Sequence, residues 1–307
     1  MARSSLVSGA LLLTAAAVCL SGSAILVSAS GVAPITAGAL RCGLALVVIV
    51  PLAALEWRRR GAIPRHPLVC AAVAGVALGI DFSCWNVSVV EAGAGVATVL
   101  VNVQVIVLPV LLWAFDGVRA PRRVWLVAPV MLTGVGLAGG VLHSGGGAPG
   151  TRGVLLGLAA GTGYACYLYA IRRGAPQAHG WPFGVLAVAC ATATLTAAGV
   201  AVITGDAALP PTARAWMMMA ALALFGQVAA LALINQGTAR LSPDVSGPLL
   251  LLPTVFAVPL AAAMLDEIPT VAQVVGCLVV LGATWYATRR GRPEPRRTAR
   301  RQAARAR

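Results

Sequence analysis

Asp81 lies in the stretch GVALGIDFSCWNVSVV, residues 75–90, and is the one formal charge there. A carboxylate among apolar side chains is costly unless a cation, a hydrogen-bond donor or water offsets it. Arg41 is a cation in the same situation one apolar stretch earlier. Asn102, Tyr164, Tyr167 and Gln227 are further polar side chains inside apolar runs, and Trp85 stands one helical turn after Asp81. An acid, a guanidinium, amides and phenols suit a small solute carrying both charges. Asp81 can also gain and lose a proton, whereas arginine keeps its charge. Enzyme chemistry is not indicated. No His or carboxylate cluster has the spacing of a nucleophile with its base, or of a metal site. His66, His143 and His179 fall near segment ends. The seven cysteines are scattered through apolar segments without a C-x-x-C pair and read as small hydrophobes.

The elements that carry these residues follow from composition. The chain has 307 residues, 59% hydrophobic and only 10% charged, with a mean hydropathy of +0.87. Soluble domains are about a quarter charged, and one soluble core of this size cannot bury so much apolar surface. An all-α integral membrane protein is expected. The net charge of +14 does not indicate nucleic-acid binding, because the arginines flank apolar segments or crowd the tail after residue 288. All 23 basic residues are arginine. The missing lysine excludes a P-loop and a Schiff base. GVGLAG, residues 134–139, sits in an apolar run and reads as helix packing rather than dinucleotide binding. The apolar N-terminal run continues far enough to span a bilayer and reads as a retained helix, not a cleaved signal.

Hydropathy and Pro/Gly punctuation predict ten spans, at residues 5–28, 33–55, 68–90, 93–115, 122–142, 152–172, 182–204, 214–237, 245–265 and 270–288. With the N-terminus cytoplasmic, twenty arginines fall on the cytoplasmic side and two, Arg152 and Arg214, outside. That asymmetry places both termini in the cytoplasm. The tail, 289–307, reads as basic, disordered and attracted to anionic lipid.

The chain also repeats. Asn86 aligns with Asn235, Pro109 with Pro259, Asp116 with Asp266 and Pro121 with Pro269, at offsets of 148 to 150 residues. The copies, 1–145 and 150–288, each hold five spans. An odd number inverts the second copy, as in alternating-access carriers. The segments LPVLLWAFDGVRAPRRVWLVAPVMLTGVGL and VPLAAAMLDEIPTVAQVVGCLVVLGA each combine a Pro-containing helix, an acidic turn and a Gly-rich last helix. The second copy keeps Glu267 in that turn, and the first has Asp116-Gly117. In these features the chain is similar to the EamA family of the drug/metabolite transporter superfamily. The resemblance implies a multi-pass carrier of the cytoplasmic membrane, often an exporter of amino acids or similar metabolites.

Helical rise sets the depth of the polar residues. Asp81, Arg41 and Asn102 each lie roughly 12–14 Å below the outer ends of their predicted helices. Arg41 and Asp81 are expected to meet as an ion pair, either structural or part of substrate and proton handling. Asp81, Trp85 and Ser88 share one helical face, and Thr98, Asn102 and Pro109 another. Tyr164, Tyr167 and Gln227 supply the second copy's polar groups. Asn102 and Gln227 have the alternative of simply bridging helices. Pro109, Pro248, Pro253 and Pro259 fall in the fourth and ninth spans, where paired kinks point to a gate. Glu91, Asp116, Asp266 and Glu267 read as solvated helix ends. The expected function is a secondary transporter with a small-molecule substrate, no cofactor and no metal, possible as a homodimer. The alternatives are an assembly subunit or an intramembrane enzyme.

Overall fold

The structure is a computed structural model, and it describes residues 2–92, 97, 100–118, 122–138, 151–178, 180–253, 255, 256, 260 and 271–289. Every regular element among them is helical. In order these are α1 (Ala2–Ser21), α2 (Ser23–Ser30), α3 (Pro34–Arg60), α4 (Arg65–Ala92), α5 (Gln104–Asp116) and α6 (Arg122–Ala138). There follow α7 (Thr151–Ala178), α8 (Pro182–Thr204) and α9 (Ala213–Ala221). A π-helical segment (Leu222–Ala229) leads into α10 (Ala230–Arg240), and α11 (Pro243–Leu249) and α12 (Val271–Arg289) complete the set. Five continuous helices are long and apolar enough to cross a membrane: α3, α4, α7, α8 and the run Ala213–Arg240. Shorter apolar helices lie at Leu6–Ser21, Gln104–Asp116, Trp125–Leu137 and Val274–Ala283.

Three predicted spans are broken rather than continuous. The first divides at Gly22 between α1 and α2. The fourth, expected as one helix over 93–115, turns at Asn102–Val103 before α5 begins. The ninth ends its α11 portion at Leu249 and turns at Leu250–Leu251, 148 residues after the first turn. Both turns are tightened by i→i+3 bonds, from Val105 N–H to the Asn102 carbonyl at 3.0 Å and from Leu251 N–H to the Pro248 carbonyl at 3.2 Å. Near the second turn, Pro248 and Pro253 each lack an amide donor. Near the first, the run VLVNVQVIV is β-branched, and Asn competes for backbone partners.

Packing runs across the chain's two halves. α4 lies along α7 and α8, α3 along α8, α6 along α12, and α1 along α10. Small residues permit this. A Cβ at Gly79 would come within 2.7 Å of the Ala193 carbonyl of α8, and one at Gly161 within 2.6 Å of the Val101 carbonyl. Val47, Leu195 and Ile203 face outward and are exposed, as a lipid-facing surface requires.

The α3–α8 pair is fastened at both ends by carboxylates. α3 starts at Pro34, and its free first-turn amides from Ile35 and Thr36 donate to Asp206 Oδ2 at 2.6 and 3.4 Å. The Thr36 hydroxyl donates to the Asp206 carbonyl. α8 starts at Pro182, and Phe183 and Gly184 donate to the Glu56 carboxylate at 3.1 and 2.8 Å. Each acid sits at the C-terminal end of one helix and caps the start of the other, so the two run antiparallel. Orphan N-terminal amides and the helix dipole both favour an anion there. Glu56 and Asp206 are 150 residues apart, and Pro34 and Pro182 are 148. Glu56→Ala and Asp206→Ala are each expected to cost about 0.5–2 kcal/mol, the usual cost of a lost cap. The costs should add, since the ends are roughly 30 Å apart. Thermal melting in detergent checks this; a single variant that melts like the parent would show water replacing that cap.

Candidate functional site

The broken helices and the π segment surround a cavity of about 160 Å³. Arg41 of α3 and Asp81 of α4 both line it, at 2% and 4% exposure. Asn102, at the break before α5, and Tyr164 of α7 join them. So do Trp85 of α4 and Gln227 of the π segment. Much of the wall is apolar, with Leu20, Val101, Leu231 and Leu250 contributing.

Arg41 is placed by two contacts on different elements. Its guanidinium carbon lies 4.0 Å from the centroid of the Phe82 ring, a cation–π contact. Its Nη2 donates to the Gly226 carbonyl at 3.4 Å. The wider π turn leaves this carbonyl outside the ordinary α ladder. Gly226 also allows close approach, since a Cβ there would sit 3.0 Å from Ser23 Oγ and 3.3 Å from Arg41 Nη2. Gln227 donates through Nε2 to the Cys42 sulfur at 3.2 Å, which turns its Oε1 the other way.

The expected Arg41–Asp81 ion pair is absent among the described residues, where the ion pairs are Arg152–Glu91 and Arg173–Asp116. The reason is that Arg41 is spent on the Phe82 face and the Gly226 carbonyl. The two charges border the same void without touching, and Asp81 Oδ1 has no hydrogen-bond partner. Glu91 and Asp116 are therefore paired helix ends rather than merely solvated ones. Asp116 also accepts from the Tyr169 hydroxyl at 3.2 Å.

Other expected positions divide. Tyr167 does not line the cavity. It stacks behind Tyr164 with ring centroids 5.8 Å apart, and its hydroxyl donates to Asn235 Oδ1 at 2.7 Å. Ser88 turns away and donates to the Gly153 carbonyl of α7 at 2.8 Å. Asn86, the counterpart of Asn235, donates to the Pro34 carbonyl at 2.7 Å, so both members bridge helices. Pro253 reaches the cavity wall, while Pro109 is buried inside α5 and Pro248 lies inside α11. Thr98, His143, His179, Pro259, Asp266, Glu267 and the tail from residue 290 lie outside the described residues.

Among the lining residues that escaped the sequence reading are Ser23, Phe82, Gln104 and Gly226. Gln104 is instructive. On a continuous helix, residues two apart face different sides, so Asn102 and Gln104 could not share a site. The turn at Asn102–Val103 lets both line it. The available signal was Gln104 itself, a second amide in an apolar run.

Residues 7–140 and 151–289 each match the profile of the EamA-like transporter family, together covering most of the chain. No curated protein matches the sequence. A solved structure described only as "Crystal structure of protein" is similar, with a TM-score of 0.75 at 20% identity, over 92% of this chain and 96% of that one. At that identity the likeness concerns the fold alone. A helical chain with two family-matching repeats, lipid-facing apolar helices and a charged cavity within the bundle is a multi-pass membrane protein, and it belongs to the EamA-like transporter family.

Proposed function

We propose that this chain is a secondary active exporter of amino acids or similar zwitterionic metabolites, working by alternating access in the cytoplasmic membrane. The observation that carries this reading is a pair of opposite formal charges, Arg41 and Asp81, that line one cavity with largely apolar walls and make no ion pair with each other. A zwitterion inserted there would meet a guanidinium at its carboxylate and a carboxylate at its ammonium. It would supply the direct ion-pair contacts that the two side chains do not make with each other. Phe82, Trp85 and Tyr164 would pack against its side chain. Ten spans in two inverted halves, with both termini cytoplasmic, complete the proposal. The antiparallel α3–α8 pair supports the inversion, and the arginine asymmetry supports the orientation. The helix breaks at Asn102–Val103 and Leu250–Leu251 are where the halves would rock around the substrate, with Pro109, Pro248, Pro253 and Pro259 setting the bends. The tail would rest on anionic lipid, and a homodimer is compatible with this arrangement.

Counterflow in proteoliposomes tests the reading. Vesicles holding the purified chain and loaded with unlabelled L-leucine or L-phenylalanine are expected to accumulate the same labelled amino acid well above empty vesicles. An imposed pH gradient should raise the accumulation further. Indifference to every amino acid supplied would overturn the substrate class, and exchange without any response to a gradient would overturn active transport.

A further inference from the structure

Five buried polar atoms on cavity-lining side chains have no hydrogen-bond partner: Asp81 Oδ1, Gln104 Oε1, Gln227 Oε1, Arg41 Nε and Ser23 Oγ. Their residues are at most 5% exposed. The set is lopsided. Three atoms are acceptors, Asp81 in its ionised form, one is an obligate donor, and the serine hydroxyl serves either way. Three come from elements far apart in sequence: α4, the start of α5, and the π segment. None is tied to another. Buried groups left in this state are costly, and a ligand that satisfies them all gains accordingly. A primary ammonium carries three N–H donors, as the lysine head group does. It matches three acceptors in number, with Asp81 also supplying the opposite charge.

We propose that Asp81, Gln104 and Gln227 form a three-acceptor cage that selects a primary ammonium and rejects N-methylated amines, with Gln104 and Gln227 as the specificity-determining residues. This rests on the transport reading above, and it narrows the substrate at one named atom. The orientation of Gln227 follows from the bond its Nε2 makes to Cys42, which opposes a flip of the amide that would put the NH2 group where the oxygen lies. The break before α5 places Gln104, since a continuous helix would carry it off the face of Asn102. Each N-methyl group removes one N–H and leaves one buried acceptor empty, an effect of roughly tenfold in affinity per methyl. The carboxylate end of the same ligand falls to Arg41 Nε and Ser23.

The test compares L-leucine, N-methyl-L-leucine and N,N-dimethyl-L-leucine as competitors of labelled L-leucine counterflow, with L-phenylalanine and its methylated forms in parallel. The full chain in proteoliposomes is expected to lose about tenfold in apparent affinity at each methylation. Gln104→Leu and Gln227→Leu are each expected to weaken the parent amino acid by about tenfold while leaving the N,N-dimethyl form nearly unchanged, so that discrimination falls. Gln104→Met and Gln227→Met give the same readout where the leucine variants do not fold. Equal competition by parent and methylated compounds in the unmutated chain would overturn the cage. So would variants that weaken all compounds alike, which is the signature of packing. Failure of the parent amino acids themselves to exchange is a separate result, and it overturns the amino-acid substrate class on which the cage depends.

Discussion

Asp81→Asn is expected to leave a folded protein whose transport no longer responds to pH and falls by roughly 30-fold or more. Asparagine keeps the size of the side chain but removes its charge and its ability to exchange a proton. The charge pair lost is the one Asp81 would make with the ammonium of the proposed substrate, and losing one partner of a buried charge pair costs about 2–5 kcal/mol. At 1.4 kcal/mol per tenfold, the lower bound is the roughly 30-fold stated. Arg41→Ala should harm folding more, by about 3–5 kcal/mol, because it leaves the Asp81 carboxylate buried without any cation beside the cavity. The exchanged double variant, Arg41→Asp with Asp81→Arg, separates charge balance from mechanism. Restored melting temperature without restored transport is expected, because Phe82 and the Gly226 carbonyl are placed to receive a guanidinium from α3, not from α4. Recovery of both stability and full transport would reduce the two residues to a charge-balancing pair.

The second large effect is on assembly. Gly75→Ala is expected to destabilise the protein by more than about 3 kcal/mol, the upper range of overpacking. A Cβ there would overlap the Ala189 carbonyl and the Thr192 hydroxyl of α8. The carbonyl belongs to the backbone, so no rotamer change relieves the clash, and α4 and α8 must separate. Gly199→Ala in α8 is the matched control, since nothing lies within 4 Å of its Cβ. There the helix propensity of alanine should stabilise by up to about 1 kcal/mol. Monodispersity and melting in detergent are expected to move in opposite directions for the two variants. A Gly75→Ala protein that behaves like the control would mean that α4 and α8 are not in backbone contact.

The positions of most helices were legible because each is a run of apolar residues bounded by arginine, proline or glycine. The 182–204 span is α8 to the residue, and the 270–288 span is α12 to within one. What hydropathy could not report was continuity. Asn102 and Leu250 interrupt helices without interrupting apolarity, because a turn that faces protein needs no polar sequence. The site was legible to the same extent. Arg41, Asp81, Trp85, Asn102, Tyr164 and Gln227 are conspicuous in apolar surroundings and do line the cavity. Tyr167 is equally conspicuous, yet three residues after Tyr164 it stacks on it from behind, a distinction that helical spacing does not make. Ser23, Phe82 and Gly226 carry no such signal. Phe82 and Gly226 sit beside the guanidinium and Ser23 lines the same cavity, and only the fold brings them there. The ion pair foreseen from equal depth failed because depth fixes one coordinate of three, and Arg41 had other partners at that level.

The reciprocal carboxylate caps also set an order of events in synthesis. The first-turn amides of α3 wait for a carboxylate that lies 171 residues further along the chain. At about 5–20 residues per second, a ribosome needs some 10–30 s to reach it. During that interval the start of α3 is held only by water or lipid head groups, while Glu56 is already made and has nothing to cap. Neither half can finish its own second helix. A stalled or truncated chain would therefore expose an uncapped helix start and an unused carboxylate to the cell's membrane proteases, and a gene split at the midpoint would have to deliver both products to one patch of bilayer before either became durable.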